Sequence, residues 1–203
     1  MEEDLKQLVG ESETILYEGR PDRKCFILES VFNPLMPFAL IWALIDLTIL
    51  GGALITTEGR NILFIVIPFL LIHMMPVWIY LSGILFTVRK HKNTYYIVTD
   101  RAVYSSGGIF SKTYNQKPFA ELSHVNLHRG IFDQKFGVGD IVMTSSQFGS
   151  TSGSASITIA SISNYMEVYN LVKKLQQDIY TDVMYPNAKR PTENYGYNTK
   201  YRG

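Results

Sequence analysis

Asp46 and His73 are the two residues of this chain best placed to do chemistry, because each lies inside a long apolar run. Asp46 is the one formal charge in Leu35–Ile55; the second run, Ile62–Phe86, has no formal charge, and His73 falls near its middle. Desolvating an ionisable group in such surroundings costs several kcal/mol, so its presence is a functional hypothesis in itself. In antiparallel runs the two would face each other. Their modest role is a hydrogen-bonded contact holding the pair together or joining it to another subunit. The ambitious role is a proton or ion path, and two helices alone do not enclose a channel.

Other chemistry-bearing residues form no constellation. His91, His124 and His128 sit in no metal pattern; the spacing of the last two would stack them on a helix, but the local sequence reads as a strand entering a turn. Gly107-Gly108 lacks the Lys-Ser/Thr of a phosphate loop, and Lys112 and Lys117 do not make the dense basic cluster of a phosphoinositide reader. Cys25 is the single cysteine, so it has no internal disulfide partner and reads as an ordinary thiol in a reducing compartment. No catalytic residue, metal, cofactor or nucleic-acid partner is expected.

The elements that must position Asp46 and His73 are the runs themselves. A helix needs roughly 20 apolar residues to cross the hydrocarbon core of a bilayer, and each run supplies them. Neither keeps the polar face of a surface-packed soluble helix. Thr56–Asn61 leaves room for a turn alone, so the sequence predicts a membrane hairpin over residues 31–86. Residues 1–30 are a polar segment of net charge −4, unlike the basic start of a secretory leader, and the C-terminus carries no prenylation box. Arg20, Arg23 and Lys24 precede the first run, Arg89, Lys90 and Lys92 follow the second, and Arg60 stands alone between them. That asymmetry places both termini in the cytoplasm of a cell whose inner membrane the chain crosses twice. Arg89, Lys90 and Lys92 would also meet an anionic leaflet, at about 1 kcal/mol per basic residue near the surface.

From Asn93 the pattern changes to short alternating segments. Tyr95–Thr99, Ala102–Ser106, Asn115–Phe119, Leu122–Leu127, Asp140–Ser145 and Ser156–Ala160 read as strands, rich in β-branched and aromatic residues and punctuated by turns. Ser145–Ser154 reads as a flexible hairpin tip. Asn164 and Glu167 begin an amphipathic helix carrying Met166, Tyr169, Val172, Leu175 and Ile179. The expected class is therefore α+β: a transmembrane α-helical hairpin, then a bent antiparallel sheet or small barrel over residues 87–180, closed by a C-terminal helix. The tail, residues 181–203, is basic and polar, with Tyr185, Tyr195, Tyr197 and Tyr201 as anchors for a partner.

Two stretches carry a resemblance. Tyr95–Tyr104, with its Val98-Thr99-Asp100-Arg101 turn, and Leu122–Leu127 continuing through Gly130–Ile141, with its Gly137-Val138-Gly139 step, resemble the bacterial pleckstrin-homology-like family in its membrane-anchored form. Glu18–Asp22 is similar to the polar lead-in before the spans of such proteins. The resemblance implies the fold but no single activity, and the motif residues themselves read as structural. The expected function is a non-enzymatic module for protein or lipid interaction at the cytoplasmic face. Its rivals are an accessory subunit of a larger membrane complex and a transport component using Asp46 and His73; self-association or a membrane partner is expected.

Overall fold

The protein was studied as a computed structural model that describes residues 2–55, 59–145 and 156–184, with backbone alone for 59–63 and 180–184. All of the predicted hairpin tip Ser145–Ser154 except Ser145, and the four tail tyrosines, lie outside the described residues. The chain divides into two units, one made of residues 1–26 and 90–203 and the other of 27–89.

The first unit contains two antiparallel sheets. Helix α1 (Glu2–Lys6) and strand β1 (Ile15–Gly19) come from the N-terminal segment; β2 (Tyr95–Thr99), β3 (Ala102–Gly107) and β4 (Thr113–Pro118) follow the apolar region. These strands form one sheet in the order β1-β2-β3-β4. Strands β5 (Leu122–His128), β6 (Gly139–Ser145) and β7 (Ser156–Ile162) form the other, with a short helix α6 (Ile131–Phe136) between β5 and β6 and the long helix α7 (Tyr165–Met184) at the end.

Residues 1–30 are therefore more than a polar lead: Gly19 lies opposite Tyr96 and Glu18 opposite Ile97, so the sheet takes its first strand from before the apolar runs. The sheet then has a reason to bury all of β2. Tyr96 and Val98 face the main core, where they meet Val103, Phe119, Ile141, Met143, Ile159 and the α7 residues Val168, Val172 and Leu175. Tyr95 and Ile97 face a second cluster built on Leu5 of α1, with Ala102 and Tyr104. The acidic residues of the lead are fasteners. Glu13 accepts Thr99 Oγ1 at 2.6 Å and Tyr104 OH at 3.0 Å. Asp4 accepts Lys112 Nζ at 3.0 Å and Tyr114 OH at 2.9 Å.

The motif residues act locally. Thr99 Oγ1 takes the Arg101 and Ala102 amides at 3.2 and 3.0 Å, closing the β2–β3 turn, while Asp100 accepts the Thr14 amide at 3.0 Å. At Gly139 a Cβ would lie 2.9 Å from the Tyr165 ring, so the backbone there approaches α7 too closely for any side chain.

The second unit is helical. Helix α2 (Arg23–Val31) begins in the first unit and leads to α3 (Leu35–Ile55), α4 (Gly59–His73) and α5 (Met75–Lys92). Helix α3 is long and apolar enough to cross a membrane, and Phe64–His73 with Met75–Lys92 qualifies if the bent pair is one span. Leu40, Leu44 and Leu47 are exposed on one face of α3 and Ile45 and Ile49 on others. Two expectations need correction. The turn is shorter than Thr56–Asn61, since Gly59 to Asn61 already belong to α4. The second run is also broken, with a bend of 51° at Met74. Pro76 has no N–H for the carbonyl four residues back, and the Val77 and Trp78 amides both turn to Met74 O, at 2.9 and 3.0 Å.

Candidate functional site

A broken helix in apolar surroundings must find other donors for its freed carbonyls. The two tryptophans of the chain supply them. Trp42 of α3 donates Nε1–H to His73 O at 2.8 Å, and Trp78 of α5 donates to Leu71 O at 3.1 Å. Both carbonyls lie within three residues of the break.

The side chain of His73 is held at the same place. Its Nδ1 shares a hydrogen bond of 2.7 Å with Asp46 Oδ1. Its ring lies between two others, stacked on Trp42 at 4.9 Å and on Phe69 at 5.0 Å between centroids. Asp46 is 2% exposed, and its second oxygen, Oδ2, is buried with no partner among the described residues. One helix thus offers a carboxylate and an indole at a four-residue spacing, and the other an imidazole and a phenyl ring at the same spacing. Asp46 and His73 are brought together as the sequence suggested. Trp42, Phe69 and Trp78 were missed, although the spacing of four that puts Trp42 above Asp46 and Phe69 above His73 was legible. The cluster can hold a proton between two groups and clamp a bent helix. It offers no nucleophile poised against a base.

The basic residues lie at the end of α5. Arg89, Lys90 and Lys92 are exposed. His91 among them is engaged, with Nε2 2.9 Å from Pro21 O and its ring 5.7 Å from that of Phe26. Lys112 is paired with Asp4, and Lys117 is buried beside Glu121 at 3.6 Å, so the two lysines after β3 do not gather into one site.

A set of metal-ligand types also occurs in the first unit, where one atom each of His128, Asp133 and Asp140 lie within 4.8 Å of one another. Structural bonds account for both carboxylates. Asp133 accepts the Gly130 amide at 2.8 Å and the Cys25 thiol at 3.3 Å, and Asp140 accepts the Ser161 amide at 2.7 Å. Burial, with Asp133 close by, raises the Asp140 carboxyl above its ordinary value, against the pull of the Ser161 bond. Cys25, read from the sequence as an ordinary thiol, is fully buried. His124 is exposed on β5, on the same strand as His128.

Comparison with known proteins adds one finding. No curated protein and no solved structure matches the chain. The family model described as "Bacterial PH domain" matches residues 38–176, from the third residue past Leu35 in α3 to the middle of α7, taking in both sheets except β1. With more than half of its length inside that match, and with the strand pairs and closing helix described above, the chain belongs to the bacterial PH domain family.

Proposed function

We propose that this protein is a non-enzymatic, membrane-anchored PH-like module that offers its sheet domain to protein or lipid partners at the cytoplasmic face. Helix α3 and the bent α4–α5 pair would cross the inner membrane as a hairpin, leaving both termini in the cytoplasm. The observation that carries this reading is the pairing of β1 with β2, Gly19 opposite Tyr96, across the whole apolar region. An insertion between neighbouring strands starts and finishes at one end of one sheet, so a hairpin there tethers the domain at two points. Tethering raises the domain's effective concentration for membrane partners without any new contact. Arg89, Lys90 and Lys92 would then lie against anionic headgroups, at about 1 kcal/mol each.

A second reading, an accessory subunit of a larger membrane complex, rests on Asp46 Oδ2. A buried acceptor without a donor is a cost that an added subunit's side chain would relieve.

The test begins with native-level tagged protein. It should resist alkaline extraction from membranes, and a reporter inserted at residues 56–58 should read the side opposite to reporters at the termini. Recovery in the soluble fraction would remove the anchor from the account. Purification in nanodiscs with mass spectrometry then separates the two readings: a stoichiometric membrane partner favours the subunit, and a partner-free protein favours the self-sufficient module.

A further inference from the structure

We propose that the end of the sheet domain where the chain departs for α3 and returns from α5 is a bilayer-docking face, with Phe110 and Ile131 as its anchors. The proposal rests on the membrane reading given above and specifies the surface through which the domain meets lipid.

Strand register sets the geometry of this end. Gly19, the last residue of β1, is opposite Tyr96; Tyr95, the first of β2, is opposite Ser106; Gly107, the last of β3, is opposite Thr113. The β3–β4 tip, residues 108–112, therefore lies at the end of the sheet that both connections use. It is tied there by Asn93, the first residue after α5, whose Nδ2 donates to Gly108 O at 3.0 Å and whose carbonyl accepts Ser106 Oγ at 3.1 Å. Gly108 has φ +112°, and a Cβ on it would run into the Ser111 carbonyl, so the tip is a tight turn.

The second sheet brings α6 to the same end. The Asp22 amide, just past β1, donates to Ser161 O at 2.7 Å near the end of β7. Ile162 pairs with Gly139, the first residue of β6, which α6 directly precedes. Cys25, two residues into α2, reaches Asp133 of α6 at 3.3 Å.

These two features carry the two most exposed large apolar side chains in the described part of the unit. Phe110 is 80% exposed and Ile131 is 84%, against 52% for Leu8, the next. The opposite end, at the β2–β3 turn, carries Asp100 and Arg101 instead. Arg23 and Lys24 at the start of α2, Lys90 and Lys92 at the end of α5 and Lys135 of α6 belong to the segments that meet at this end, and all are exposed. Exposed apolar and basic side chains on the segments of one end suit the boundary between acyl chains and anionic headgroups, where rings and methyls enter hydrocarbon and ammonium groups meet phosphate. A lone exposed side chain needs no explanation, but two at one end, beside both chain connections, do.

The test uses the full chain in nanodiscs of phosphatidylcholine with phosphatidylglycerol. Single cysteines at Phe110→Cys, Ile131→Cys, Arg101→Cys and Leu44→Cys are spin-labelled, Cys25 being shielded by its burial. Collision with oxygen is compared with collision with a water-soluble nickel complex. The ratio of oxygen to nickel collision should be several-fold higher at 110 and 131 than at 101. A water-like ratio at either position overturns the proposal, and so does shielding from both reagents, which would mean packing against a second copy. Leu44 lies on α3 and reports on the anchor alone. If 44 reads lipid while 110 and 131 read water, the docking face fails and the anchor stands. If 44 also reads water, both fail.

Discussion

The Trp42 indole donates to the backbone carbonyl of His73 at 2.8 Å, beside the point where Met74 breaks the helix. This is a repair made across two helices, because the donor missing from one is lent by a side chain of the other. Leaving a buried carbonyl unpaired costs about 1–3 kcal/mol. Trp42→Phe keeps a ring to stack on His73 and removes the donor, so it should destabilise the helical unit by about that amount. Trp78→Phe should cost less, since its bond to Leu71 O is the longer, 3.1 Å against 2.8 Å. Unfolding of the full chain in detergent micelles measures both, and equal small losses would show that the repair is not needed.

The Asp46–His73 bond makes a prediction about coupling. Asp46→Leu leaves His73 Nδ1 without its 2.7 Å partner, and His73→Leu leaves the carboxylate buried with no partner at all. Each single change should cost about 1–3 kcal/mol, and the double change should cost clearly less than their sum. A strictly additive double-mutant cycle would mean that the contact contributes nothing. Asp46→Asn adds a separate reading: lost assembly supports a structural contact, and intact assembly with lost activity supports transport.

Much of the sheet was legible because Tyr95–Thr99 and Ala102–Gly107 are rich in the aromatic, β-branched and small residues that a pleated, buried surface accepts. Strand β1 was not, for a physical reason. Ile15–Gly19 is five residues long, and its partner in the sheet comes after four helices, so nothing local marks it. Composition showed residues 1–30 only as a polar, acidic segment and gave no role to Asp4, Glu13 and Glu18. Asp4 and Glu13 accept bonds from the sheet and Glu18 pairs with Lys6 at 2.7 Å. Helix α6, six residues, is too short to show a period. The uniform apolarity of Ile62–Phe86 gave no sign that one helix becomes two, although Pro76 lies within it. The meeting of Asp46 with His73 could be read because both lie at mid-run. The roles of Trp42 and Trp78 could not, because they depend on which carbonyls a break sets free.

The apolar part of the docking of α1 rests on one side chain. Leu5 is fully buried against Tyr95, Ile97, Ala102 and Tyr104, on the sheet face away from the main core. Leu5→Ala should cost about 2–5 kcal/mol, the range for a buried leucine that leaves a cavity. The loss should appear as faster hydrogen exchange in residues 2–9 and in β3. A variant with native exchange in both would show that the lead is dispensable to the sheet.

Asp140 makes the pH dependence of the sheet domain testable. Its carboxyl is partly buried and is raised above the ordinary 3.8, with burial the largest cause and the charge of Asp133 adding to it. A carboxyl raised in the fold is harder to ionise there than in the unfolded chain. Its contribution to stability therefore falls as pH climbs from the ordinary value through the folded one, and the penalty is fully present above both. Asp140→Asn removes the charge while keeping a carbonyl oxygen for the Ser161 amide at 2.7 Å. The variant should be at least as stable as the parent at about pH 7, and its advantage should shrink toward about pH 4 as the parent's carboxyl takes up its proton. Melting curves of both proteins across that range decide the matter. A variant less stable at neutral pH would mean that the ionised oxygen is needed on the Ser161 amide, and that the bond outweighs the burial.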